Sequence, residues 1–272
     1  MKPARSSQWL GYANYQLWLF AFVGLGLSAF RAVFPLASNE PPAQIFELAV
    51  SVDPAYAQGH FNLGILFQNS GRFAEAVAEY RLAAAADPQD HRVCGYLGTS
   101  LARLKAWDEA VVALNCALAA EDEWSSRAQL GAVFAAQGKL HEAVTQLEVA
   151  LRMKPSENRV RIDLGGLLAQ LGEYSRAEAL LLEAQRRDPR DPRAVFDLGL
   201  VAKRQGNLAQ AEKRFEQVLV LDPAYVKALG SLARLAMGRG ESDKARRHLE
   251  ALLRVDPGDV QGRAMLEQLN RQ

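Results

Sequence analysis

The sequence predicts an all-α protein built as an array of six helix pairs. Three columns of residues, repeating in phase, predict it. A Leu-Gly dipeptide recurs at Leu63-Gly64, Leu97-Gly98, Leu130-Gly131, Leu164-Gly165 and Leu198-Gly199, with Leu232-Ala233 as the sixth copy, at steps of 34, 33, 34, 34 and 34 residues. An alanine follows each second position twelve residues later, at Ala76, Ala110, Ala143, Ala177, Ala211 and Ala245. A proline, mostly as Asp-Pro, closes the unit at Pro88, Pro155, Pro189, Pro223 and Pro257. Self-similarity at a period of this size marks a chain of identical supersecondary units, each burying its apolar face against its neighbours.

The elements follow in chain order. Residues 1–34 differ from everything after them: no charge occurs between Arg5 and Arg31, and Leu17 to Phe30 is apolar apart from Ser28. With Tyr15 and Trp18 as an interfacial aromatic edge and Phe20, Phe22, Leu25, Leu27 and Phe30 in the apolar stretch, this makes a span of about 20 residues, the length that crosses a bilayer core. A single transmembrane anchor is expected. A cleaved signal peptide and a buried core helix are the alternatives, the first weakened by Pro35-Leu36-Ala37 as a poor small-x-small cleavage site. Lys2 and Arg5 precede the span while Glu40, Glu47 and Asp53 follow it. That asymmetry places the N-terminus in the cytoplasm and the remainder across the membrane. Residues 35–42 read as a proline-bearing linker, and 43–56 as the second helix of an incomplete unit, with Phe46, Ala49 and Pro54 in phase.

Each column in the six full units has a physical reason. Leu63, Phe67 and their equivalents recur at helical spacing and form the apolar stripe of a first helix. Gly64 and Ala76 are small where paired helices approach closely. Gly71, Gly138, Gly172, Gly206 and Gly240 end the first helix, because glycine accepts the left-handed conformation at a helix C-terminus. Tyr80, Leu114, Leu147, Leu181, Phe215 and Leu249 are the large residues of the second helix. Asp-Pro stops it, since the residue before proline is driven out of the helical region.

These columns together are similar to the tetratricopeptide-repeat (TPR) family, over six units at 57–90, 91–123, 124–157, 158–191, 192–225 and 226–259. The resemblance implies antiparallel helix pairs stacked as an α-solenoid in a right-handed superhelix with a concave groove, here capped by a C-terminal helix over 260–272. One unit lacks a residue and its proline, with Glu121-Asp122-Glu123 and Trp124 at the join. A tolerated loop deletion and a local change of pitch with Trp124 as a contact both fit. The last unit is degenerate, with Ala233, Ser242 and Leu252 off pattern, as terminal repeats often are.

Composition bounds the function. Of 272 residues 49% are hydrophobic and 23% charged, which suits a folded chain. Net charge is +1, so no global field marks a nucleic-acid binder. The charge is uneven: residues 43–157 hold nine basic and fourteen acidic side chains, and residues 158–272 hold twenty and sixteen. His60, His91, His141 and His248 lie in different units with no second ligand at helical spacing, so no metal site is expected. There is no Gly-rich phosphate loop and no G-x-S-x-G, so neither an enzyme, a cofactor nor a small-molecule substrate is expected. Two cysteines make no disulfide scaffold. Cys116 lies two residues, about 200° of helix, beyond the inward Leu114, so it points outward and a bridge to Cys94 is not expected.

Function then falls to a surface. In TPR proteins the groove is lined by the face of each first helix that its partner leaves uncovered. Here that face carries Phe61, Ile65, Arg92, Arg159, Ile162, Arg193, Phe196, Leu200, Lys203, Arg204, Lys227 and Arg234. Apolar anchors beside cations suit a peptide or helical segment of a protein partner, although Phe61 and Phe196 could equally fill gaps between units. The lysine–asparagine clamp by which some TPR proteins hold chaperone tails is missing, its positions being Phe61, Ile65, Tyr96, Ser125 and Gln129. The expected function is a membrane-anchored, non-enzymatic scaffold aiding assembly of a membrane or exported complex. A self-associating structural scaffold, a homo-oligomer, is the alternative.

Overall fold

The computed structural model describes residues 42–271. Among these residues the chain runs through fourteen α-helices and no strand. They divide after Lys105 into two compact units. The first unit holds α1 (Pro42–Val52), α2 (Ala57–Asn69), α3 (Phe73–Ala86) and α4 (Arg92–Arg103). The second holds α5 (Trp107–Ala120), α6 (Trp124–Ala136), α7 (Leu140–Met153), α8 (Asn158–Gln170), α9 (Tyr174–Arg187), α10 (Pro192–Arg204), α11 (Leu208–Leu221), α12 (Val226–Gly238), α13 (Ser242–Val255) and α14 (Val260–Asn270). Within each unit successive helices pack on one another, and α8 also touches α10. In sequence order there are more helices than six pairs: α1 precedes them and α14 follows. Among the described residues no helix is long and apolar enough to cross a membrane. The expected anchor, with Tyr15, Trp18, Phe20, Phe22, Leu25, Leu27 and Phe30, lies outside those residues.

One backbone device turns the chain between first and second helix. Gly71, Gly138, Gly172, Gly206 and Gly240 all take φ between 75° and 84°, where a Cβ would crowd the following carbonyl. At α2 the Gly71 amide donates to the Gln68 carbonyl at 3.0 Å and the Arg72 amide to Phe67 at 2.8 Å, closing the last turn. The second of these bonds returns from Lys139, Glu173, Asn207 and Glu241. Lys105 stands at the corresponding place after α4 with φ 62°, a conformation that costs an ordinary residue about 1 kcal/mol.

A second device ends the second helix. Asp87, Asp188, Asp222 and Asp256 are extended, with φ from −127° to −142°, as proline demands of the residue before it. Their side chains also bridge the turn. Asp87, Asp188, Asp222 and Asp256 accept from the amides of Gln89, Arg190, Ala224 and Gly258 at 2.9–3.1 Å. Aspartate suits the residue before proline because its carboxylate accepts from the amide two residues on and closes the turn. Lys154 breaks the pattern and instead places its ammonium 4.6 Å from the Trp124 ring. Trp124 is half-buried and packs against the core of the second unit, so it works as a joint between repeats.

The glycine of Leu-Gly is explained by close approach. A Cβ at Gly64 would lie 2.4 Å from Tyr80 Cε1, at Gly131 2.9 Å from Leu147 Cγ, and at Gly199 2.6 Å from Phe215 Cε1. The small residue of the first helix therefore receives the large residue of the second, and the two columns are one contact. In the first unit the Tyr80 hydroxyl donates to Gln68 Oε1 at 3.0 Å, and Ser100 Oγ donates to the same oxygen at 2.9 Å. His60, 6% exposed, places Nδ1 2.7 Å from Glu79 and Nε2 3.1 Å from the Pro54 carbonyl. Neither cysteine is a free thiol, contrary to expectation. Cys116 is half-buried and does not point cleanly outward.

Candidate protein-binding face

First and second helices are buried to different degrees. In α8 eight residues are buried, against three in α9; in α10 seven, against three in α11; in α12 eight, against three in α13. A first helix packs on its own partner and on the helix before it, and α8 and α10 also meet directly. Only a narrow strip of each stays open, and the strip is polar. Along α8, α10 and α12 it carries Arg159 and Asp163, then Arg193 and Asp197, then Lys227 and Arg234.

The expected groove residues sort into two groups by burial. Phe61 is 5% exposed, Ile162 2% and Phe196 7%, so these three are packing residues in this structure and offer a ligand little surface. Phe61 meets the rings of Tyr80 and Tyr96 at centroid distances of 6.0 and 5.2 Å. Phe196 meets Phe215 and Tyr225 at 5.4 and 5.3 Å. Each fills a joint between successive repeats within its own unit. Arg92 is exposed but engaged: it pairs with Asp90 at 2.6 Å and lies 5.3 Å above the Phe61 ring. Ile65 is half-buried against that same cluster. The first unit thus uses most of its expected site for its own packing.

The second unit leaves its cations open. Arg159, Arg193, Arg204, Lys227 and Arg234 are exposed, and Leu200 and Lys203 are half-buried beside them. Arg193 pairs with Asp191 at 2.6 Å, which holds that carboxyl below the usual range through the guanidinium hydrogen bond. Arg159 stands 3.9 Å from Asp163. Lys203, Arg204, Lys227 and Arg234 have no carboxylate partner among the described residues; Arg234 reaches only Ser231 Oγ, at 3.4 Å. On the second helices many cations are spent within the fold: Arg176 pairs with Glu148 and Glu173, Arg186 and Arg187 share Glu183, and Arg239 and Lys244 share Glu212.

Asp163 and Asp197 are the residues that sequence reasoning missed. Asp197 is half-buried and has no hydrogen-bond or ion-pair partner among the described residues. Burial raises its carboxyl to about 7, the nearby Asp163 charge adds to the shift, and Lys227 and Arg193 oppose it. Partial burial raises Asp163 as well, against Arg159 and Arg193. The signal was present in the sequence: an arginine precedes the aspartate of Asp-Leu-Gly by four residues in two successive repeats, at Arg159/Asp163 and Arg193/Asp197.

Paired helices in series, each leaving a polar strip uncovered, define the chain as a helical repeat protein of the protein-interaction scaffold type. It belongs to the tetratricopeptide-repeat family: family models described as "Tetratricopeptide repeat" match residues 57–90, 134–199 and 202–269, together more than half of the chain. Among solved structures it is similar to YrrB, described as a TPR protein with an unusual peptide-binding site, at 20% identity and TM-score 0.58, covering 70% of this chain and 98% of that one. A tetratricopeptide repeat protein from Parabacteroides merdae shares 17% identity at TM-score 0.69, covering 79% and 86%. PilW, described as a widely conserved type IV pilus biogenesis factor, shares 18% at TM-score 0.68, covering 79% and 98%. At these identities the likeness establishes the fold. No curated protein matches the chain.

Proposed function

We propose that this chain is a membrane-anchored scaffold that holds a protein partner, as a peptide or a helical segment, on the groove formed by its first helices, and so aids assembly of a membrane or exported complex. The observation that carries the reading is the open face of α10 and α12, where Lys203, Arg204, Lys227 and Arg234 form no ion pair among the described residues, the half-buried Asp197 being the one carboxyl whose charge Lys227 feels. Several unpaired cations gathered on one face of successive first helices make a surface available for recognition. The peptide-binding description of YrrB and the pilus-biogenesis description of PilW support the class of role. The apolar run from Leu17 to Phe30 supports the anchor, with the N-terminus cytoplasmic and the repeats on the opposite side. Tethering raises the effective concentration of membrane partners, so modest affinity at the groove suffices.

The test is crosslinked affinity capture of the full-length protein from its native membranes, beside the Lys227→Glu/Arg234→Glu variant. Both positions are exposed, so helicity by circular dichroism should be unchanged. The reading expects a partner with the wild type that is lost with the variant. Equal capture by both would show that this face is not the site.

A further inference from the structure

The open face also states what kind of segment fits it. The helices α8, α10 and α12 carry between them only two carboxylates, Asp163 and Asp197, and α12 carries none. Against these stand the exposed Arg159, Arg193, Arg204, Lys227 and Arg234 and the half-buried Lys203. The face is therefore cationic although the whole chain is nearly neutral. Gly166 adds a second, independent observation. It sits in the interior of α8, where glycine weakens a helix, yet a Cβ there would meet a single atom, Asp197 Oδ2 at 3.5 Å, an ordinary contact. Its neighbour Gly165 is required by packing, with Leu181 Cγ 2.8 Å from a Cβ. Packing does not require Gly166. It leaves the α8 backbone open beside Asp197.

Resting on the reading that this face binds a protein partner, we infer that the occupant is an acidic segment with interspersed apolar side chains, its carboxylates meeting Lys203, Arg204, Lys227 and Arg234 and an apolar side chain entering the space over Gly166. A nucleic-acid strand fits less well. Its continuous phosphates would run over Asp163 and Asp197, and the aromatic Phe196 is buried where stacking on bases would need it open. The carboxyls of Asp163 and Asp197 are biased toward their neutral forms by burial, which lowers their repulsion of an incoming acidic side chain.

The experiment is fluorescence anisotropy of a labelled glutamate–leucine peptide with the full-length protein, beside a lysine–leucine peptide and a single-stranded oligonucleotide of equal length. The glutamate peptide should bind, weaken as salt is raised, and lose about tenfold or more in affinity with Lys227→Glu/Arg234→Glu. Preference for the lysine peptide or for the oligonucleotide would overturn the acidic class. So would a concentration-dependent mass that returns to monomer in the same variant, since a second copy of the chain would then be the occupant. Groove-dependent capture of a native partner with no binding of the glutamate peptide would also overturn the acidic class, while the groove reading itself would stand.

Discussion

At the scale of the residue, Asp197 is the most informative group on the open face. In an unfolded chain an aspartate ionises near pH ~3.9, whereas in this fold Asp197 holds its proton up to about 7. The folded state binds that proton more tightly, so the group's contribution to stability is fully present below the unfolded value. It is lost as the pH rises toward 7, and stays constant above. Replacing it by asparagine keeps the neutral shape and removes its share of the slope. The thermal midpoint of Asp197→Asn should match that of the wild type near pH 4 and exceed it by a margin that grows up to pH ~7 and then levels. Melting curves across this range check it, and a margin independent of pH would contradict the assigned environment. The charges facing Asp197 are Asp163 from α8, Arg193 and Asp191 from α10 and its N-cap, and Lys227 from α12, with the Tyr225 phenol alongside. Asp163, itself raised by burial, shares this window, so the wild-type slope belongs to the two carboxyls together and the Asp197→Asn comparison isolates the share of Asp197.

At the scale of the element, two glycines of the same type of helix have opposite meanings. Gly199 in α10 receives the Phe215 ring, 2.6 Å from where a Cβ would stand, with Arg214 Cβ also at 3.2 Å. Gly199→Ala should cost about 1–3 kcal/mol, because the helix pair must separate or the ring must leave its position. Gly166 in α8 meets no such neighbour, and Gly166→Ala should gain about 0.5–1 kcal/mol through helix propensity alone. Denaturant unfolding of the two variants gives both signs in one experiment. A loss at Gly166 would show a packing role that the geometry does not contain.

The same comparison shows what the sequence made legible. The helix pairs, the left-handed glycines and the proline stops were readable, because each follows from local backbone chemistry repeated in phase. The partition of each first helix between buried and open faces was not. Phe61, Ile162 and Phe196 share one position of the repeat, and periodicity assigns that position to the side away from the helix partner. It is buried all the same, because the neighbouring repeat covers it, and the spacing of apolar residues within one helix carries no information about that second neighbour. Asp197 was passed over for a related reason: an aspartate beside arginines reads as a solvated pair, as the exposed Asp163 with Arg159 is, until the structure shows it half-buried and unpartnered.

At the scale of the whole molecule, the uneven charge of the sequence acquires a location. The excess of basic side chains after residue 158 is partly neutralised on the second helices and left open on α10 and α12. The acidic residues before 157 include exposed carboxylates such as Glu121 and Glu123. A cationic face presented by successive helices suits an acidic partner, and the affinity of such a pairing is set by the partner's charge and by salt.

The most direct measurement of that claim places a photocrosslinker at Lys227, on the open face of α12, and in a second sample at Val220, which is 83% exposed on the second helix α11. Both full-length proteins are irradiated in native membranes. The account predicts a crosslinked partner from position 227 and none from position 220. A partner crosslinked from 220 and absent from 227 would move the binding surface to the second helices and contradict it.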